Sequence, residues 1–209
     1  MIHSIPEPAI KRLSALYQLL YRLEKSGVQA ISSKEIGERL DISAHTVRKD
    51  ISYLREAQIS GARYTVQKLK ELIGRSLKFT TSRKACVVGL GKIGAAILNY
   101  SRFAGYGFDI VAGFDSNVNI VETLNADMDL FPSYMIPEVV TDRSIELAVL
   151  AVPADAAQLC ADRLVKGGIK GIVNFSSALL TIDKKIAVSD VDVTKELRVL
   201  SAMISLGDR

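Results

Sequence analysis

A chain of 209 residues that is 48% hydrophobic and 24% charged, with 5 Pro and 14 Gly, can bury a core of one or two modest domains, which excludes a disordered, collagen-like or low-complexity polymer. No run nears the ~18 apolar residues of a membrane span, and the N-terminal MIHSIPEPAIKR lacks the basic-then-apolar order of a secretory leader. The net charge of +4 hides a division: residues 1–84 hold sixteen Lys and Arg against eight Asp and Glu, a net +8, whereas residues 85–209 hold eleven against fifteen, a net −4. A basic module followed by an acidic one predicts that only the first half meets a polyanion, because phosphates call for a concentrated positive field.

The first element is a helix in which Leu13, Leu16, Leu20 and Leu23 recur at helical spacing, stopped at Gly27. Ser32 followed by Glu35 has the pattern of a capping box ahead of Ile36 and Leu40, so a short second helix spans roughly 33–40. Asp41-Ile42-Ser43 reads as a tight turn, and Ser43 caps a third helix whose Val47, Ile51 and Leu54 form an apolar stripe. His45, Arg48, Lys49 and Ser52 fall on its other faces. Two helices joined by a short turn, with basic groups on the exposed side of the second, match a helix-turn-helix whose second helix enters a major groove. Residues 59–66, Ile-Ser-Gly-Ala-Arg-Tyr-Thr-Val, read as a glycine turn and a strand, the shape of a wing with Arg63 at its tip, ready for a narrow minor groove. Leu69, Leu72, Ile73 and Leu77 form one more helix before the polar run 80–84 marks a domain boundary.

The second half opens on an apolar strand at residues 84–88, followed by Gly89-Leu90-Gly91-Lys92-Ile93-Gly94 and a helical Ala95–Leu98. A G-x-G-x-x-G between strand and helix is the setting in which one glycine turns the chain, a second lets backbone approach a pyrophosphate, and a third packs helix on strand. Lys92 adds charge beside the helix start, where unpaired N–H groups favour an anion. A second strand, 108–114, ends at Asp115, placed to accept hydrogen bonds from ribose hydroxyls and to repel a 2′-phosphate, which favours NAD(H) over NADP(H). Strands at 147–152 and 169–175 flank a helix at 154–165, an alternation that builds a Rossmann-like parallel sheet. A strand at 186–193 and an apolar helix at 194–205 close the chain, and that helix needs its own sheet or another subunit to pack on.

Catalytic and metal-ligating groups are not evident. The two histidines, His3 and His45, precede the nucleotide module, and Tyr-x-x-x-Lys spacing occurs only at Tyr21/Lys25 and Tyr64/Lys68, in the basic half. Cys86 and Cys160 stand far apart in apolar surroundings without a C-x-x-C partner, so they read as core fillers in a reducing, cytoplasmic protein. A coenzyme fold joined to a duplex-binding module without catalytic groups reads as a sensor rather than an enzyme. Two other readings stay open: a small NAD-dependent reductase with an accessory helical domain, and a DNA-binding protein insensitive to NADH.

Taken together, Ser43–Tyr53, Val88–Gly94, Phe114-Asp115, Ala151–Gln158, Gly168–Phe175 and Val191–Val193 resemble the Rex redox-sensing transcriptional repressors, over nearly the whole chain. The resemblance implies an α/β protein with a winged helix-turn-helix domain at 1–80, a Rossmann-like NAD(H) domain at 84–190 and a swapped dimerisation helix at 191–209. It implies a homodimer on a palindromic double-stranded DNA operator, released when NADH displaces NAD+. The groove-facing set is then Ser43, His45, Thr46, Arg48, Lys49 and Ser52 with Arg63 and Tyr64 of the wing. The coenzyme set is Gly89, Gly91, Lys92, Ile93, Gly94 and Asp115, with Tyr100 and Asp192 near the nicotinamide. Gln18 stands where the family usually has a first-helix Arg, Ser60–Tyr64 replaces the usual wing, Asn174-Phe-Ser-Ser177 replaces Asn-Phe-Ala-Pro, and Asn117–Asp129 replaces a glycine- and proline-rich stretch.

Overall fold

The computed structural model describes residues 5–54, 63–100 and 103–207, and these fall into two compact units, Met1–Thr81 and Ser82–Arg209. In the first unit α1 (Glu7–Lys25) buries Leu13, Leu16, Leu20 and Leu23, the stripe its periodicity requires. Strand β1 (Ala30–Ile31) leads to α2 (Ser33–Leu40), whose capping box is complete: Glu35 N–H donates to Ser32 Oγ and Ser32 N–H to the Glu35 carboxylate. Those bonds hold the Glu35 carboxyl below the usual carboxylate range. Asp41, at φ 52, reverses the chain into α3 (Ala44–Ser52), with Ser43 as its cap. Strand β2 (Tyr64–Thr65) pairs antiparallel with β1, and α4 (Val66–Ser76) packs Leu69, Leu72 and Ile73 into the same core. The expected turn at 59–62 lies outside the described residues.

The second unit is built on a six-stranded, all-parallel sheet. In chain order it runs β3 (Arg83–Val88), α5 (Lys92–Leu98), β4 (Phe108–Asp115), α6 (Val118–Thr123), β5 (Leu130–Pro132), α7 (Ile136–Asp142), β6 (Leu147–Leu150), α8 (Ala154–Lys166), β7 (Gly171–Asn174), β8 (Ala187–Asp190) and α9 (Val193–Leu206). The spatial order β5-β4-β3-β6-β7-β8 leaves β3 in opposite directions, so the crevice at the carboxyl ends of β3 and β6 is the switch point where open α/β sheets bind ligands. One core, with Phe114, Ile136, Leu150 and Leu164 at its centre, fills one face of the sheet. A smaller cluster around Val87, Leu90 and Leu98 fills the other.

Both cysteines are buried, and burial pushes the Cys86 thiol up to about 12. Native Cys86 is therefore expected to stay unlabelled by an alkylating reagent at about pH 8, where roughly one thiol in ten thousand is ionised. Mass spectrometry of the folded protein checks this, and rapid labelling without unfolding would contradict it.

Candidate functional site

The first site is the exposed side of α3. His45, Arg48, Lys49 and Ser52 face solvent, while Val47 and Ile51 face the core. Ser43 Oγ accepts from Thr46 N–H at 3.0 Å, and the two hydroxyls lie 2.9 Å apart, so both are engaged in ordering the helix start. Arg48 donates from Nη1 to Ser33 Oγ at 3.0 Å, which rests its guanidinium across the opening of α2. Ser52 Oγ donates to the Lys49 carbonyl at 2.7 Å. The result is a short helix with two adjacent exposed cations, the form that reads guanine edges or phosphates.

One wing assignment changes. Tyr64 is only 6% exposed, faces Ile31 across the β1–β2 pair and belongs to the core. Alternation along β2 turns Tyr64 inward and Thr65 outward, and burial also raises the Tyr64 phenol. A duplex contact by its ring is withdrawn. Arg63 is the residue directly before β2, and its Nη2 donates to the Ala30 carbonyl at 2.9 Å and to Glu35 Oε1 at 3.2 Å. The capping-box carboxylate draws that guanidinium to the foot of the strand.

One feature of this unit was missed in the sequence. Asp50, only 2% exposed, accepts a two-pronged bond from Arg12 of α1: Nε to Oδ2 at 2.6 Å and Nη2 to Oδ1 at 2.8 Å. The signal was present, since Asp50 falls three residues after Val47, on the apolar stripe, where a carboxylate needs a partner. Removing Arg12 alone would leave that buried carboxylate without its partner and destabilise the first unit.

The second site is the glycine loop at the switch point. Gly89 has φ +90, and a Cβ there would come 2.5 Å from the Ala151 carbonyl oxygen; at Gly94 a Cβ would stand 1.7 Å from the Gly89 oxygen. Around Gly91, in contrast, nothing lies within 4 Å of such an atom. Two glycines are thus fixed by packing within the protein, and the third faces open space, room that an approaching diphosphate would use. Lys92 and Ile93 are exposed at the first positions of α5.

Asp115 ends β4, and its carboxylate ties the loops together: Oδ2 accepts from Leu90 N–H at 2.7 Å and Oδ1 from Asn117 N–H at 2.8 Å. A carboxylate has about four acceptor positions, so two stay available for ribose hydroxyls. The residues present therefore fit an adenine dinucleotide. Tyr100 is 49% exposed and stacks edge-on against Phe103 at 5.3 Å. Asp192 caps α9, accepting from Thr194 N–H at 2.9 Å and Lys195 N–H at 3.2 Å. Also unforeseen is a buried network at the end of β7. There Asn174 donates to Asp190 Oδ1 at 2.8 Å and to the Ala178 carbonyl at 2.9 Å, and accepts from Ser176. No group of three or more metal-ligating side chains occurs among the described residues, nor any helix long and apolar enough to cross a membrane.

Comparison with known proteins agrees with both halves. Residues 4–52 match the family described as "Putative DNA-binding protein N-terminus", and residues 80–178 match "CoA binding domain". Redox-sensing transcriptional repressor Rex 1 of Thermotoga maritima is 38% identical over 202 residues, covering 96% of each chain. The Rex repressor of Pelotomaculum thermopropionicum is 32% identical over 197 residues, covering 94% of this chain and 92% of its own. Among solved structures, RSP in complex with NADH superposes with a TM-score of 0.87 at 26% identity, over 98% of this chain and 96% of that one. RSP with NAD+ and operator DNA gives 0.89 at 27% identity, over 98% and 94%. With relatives of this identity along nearly its whole length, the chain belongs to the Rex family of redox-sensing transcriptional repressors.

Proposed function

We propose that this protein represses transcription by gripping a palindromic operator through α3 of two subunits, and that it lets go when NADH replaces NAD+ in the glycine-loop crevice. The observation that carries the reading is one chain holding both a helix with exposed Arg48 and Lys49 and a glycine loop open at Gly91. Arg48 and Lys49 read base edges, Ser43, His45, Thr46 and Ser52 order the helix or contact phosphate, and the surplus charge of the first unit makes affinity fall steeply with salt. Gly91 and the start of α5 hold the diphosphate, and Asp115 holds the adenosine ribose and disfavours a 2′-phosphate.

When bound, the coenzyme supplies a nicotinamide ring that is cationic if oxidised and neutral if reduced. Discrimination would require that the ring sit near Tyr100 with little water around it, since an unpaired cation there would be penalised by desolvation. The adenosine and diphosphate contacts are common to both forms and cannot discriminate. Release requires that the dimer have two arrangements and that the reduced ligand fit the one unsuited to successive major grooves. No turnover of the coenzyme is part of this reading, which places the protein in the cytoplasm as a regulator.

The surface of α9 supports a homodimer. Val193, Leu197, Leu200 and Ile204 recur at helical spacing, none of the helix's residues is buried, and Ile204 is 81% exposed. A stripe of that kind calls for a second copy to cover it.

Arg48→Ala is expected to cost operator selectivity, by about 1–3 kcal/mol for a lost guanine contact, while non-specific affinity changes little. A fluorescence anisotropy comparison of operator and scrambled duplexes checks this, and unchanged selectivity would remove Arg48 from the reading role.

A further inference from the structure

Asp50 is out of place by ordinary patterning. It lies on the buried stripe of α3 with Val47 and Ile51, in the last turn of the helix that carries Arg48 and Lys49. Its partner, Arg12, comes from a different element, α1, and makes both bonds at 2.6 and 2.8 Å. The side chain of Asp50 is 4% exposed and that of Arg12 35%, so the carboxylate is committed to this one cation. Beside the pair is a cavity of about 10 Å³ lined by Leu13, Leu16, Ile36, Leu40 and Val47. A void that small holds no more than one water, and the apolar contact between α1, α2 and α3 carries no directional bond of its own. A planar guanidinium on a carboxylate is directional, since both bonds are lost by a turn of the helix about its axis.

We propose that Arg12 is a positioning residue for operator recognition: through Asp50 it fixes the rotation of α3, and with it the aim of Arg48 and Lys49. The inference deepens the DNA-binding reading above and rests on it. Base-edge hydrogen bonds are made within a few tenths of an ångström, so a small rotation at Asp50 misdirects the two cations one and two residues before it. Phosphate attraction tolerates the same error, because it depends on charge more than on aim. Arg12 touches no base in this scheme.

Two full-length variants test it. Arg12→Lys keeps the charge and loses the fork. The double variant Arg12→Met/Asp50→Leu removes both charges and leaves apolar packing, an exchange that buried ion pairs commonly survive without loss of stability. The probes are a duplex selected from a random-sequence pool by the wild-type protein and a scrambled duplex of equal composition, with NADH affinity measured in parallel. Both variants are expected to lose about tenfold or more of the preference for the selected duplex. Affinity for the scrambled duplex, its salt dependence and NADH affinity should stay within about twofold. Preference retained in Arg12→Lys would reduce the pair to a structural role and overturn the proposal, whether or not the double variant folds. Parallel losses on both duplexes would do the same. If the wild-type protein selects no duplex at all, the DNA-binding reading itself fails, and the proposal falls with it.

Discussion

Gly91→Ala is expected to fold as the wild type does and yet to bind NADH about 100-fold more weakly. The two effects separate because a methyl group at this position meets nothing in the protein within 4 Å. The backbone there, at φ −65 and ψ −166, is one that alanine adopts without strain, so thermal stability should hold or rise slightly through a less flexible unfolded chain. The methyl group would occupy the space through which a diphosphate approaches the loop. Gly94→Ala is the contrasting case. Its Cβ would lie 1.7 Å from the Gly89 carbonyl oxygen, an overlap relieved only by moving α5 away from β3, at a cost upwards of about 3 kcal/mol. Calorimetric titration and thermal melts of the two variants check this. A Gly91→Ala protein that binds NADH normally would remove the loop from the coenzyme site.

The second large effect concerns α9. Leu197→Glu/Leu200→Glu is expected to give a folded monomer, because neither side chain contributes to the described cores. Each large apolar group that a partner covers is worth about 1.5–3 kcal/mol, so charging two of them outweighs what most protein interfaces can spare. Operator affinity should fall with it by about 100-fold or more, since two linked recognition helices gain by effective concentration what one cannot. Sedimentation and anisotropy on the same samples test both halves. A variant that remains dimeric would place the interface elsewhere.

Much of this was legible in the sequence because the signals are local. Leucine spacing, the Ser32/Glu35 box, the Ser43 cap and the glycine loop each specify geometry within a few residues, and α1, α2, α3 and the β3–α5 turn formed as their patterns required. The segment 117–142 was less legible. Strand β5 has three residues, and α7 carries Pro137 in its first turn with a stripe of Ile136, Val139 and Val140 too short to show a period. The surroundings of several candidate residues depend on partners distant in sequence. Tyr64 is turned inward by its pairing with Ile31, and Arg63 is drawn down by Glu35, 28 residues earlier. Asp50 finds Arg12 38 residues away. Polar groups in tertiary pairs leave no periodic mark, so only their misplacement on an apolar stripe could have announced them.

The measurement that bears most directly on the account is a titration of the protein–operator complex with NADH, NAD+ and NADPH, followed by anisotropy of the labelled duplex. Release by NADH at concentrations where NAD+ and NADPH leave the complex intact is the predicted result. Equal release by NADH and NAD+, or a complex indifferent to both, would contradict it.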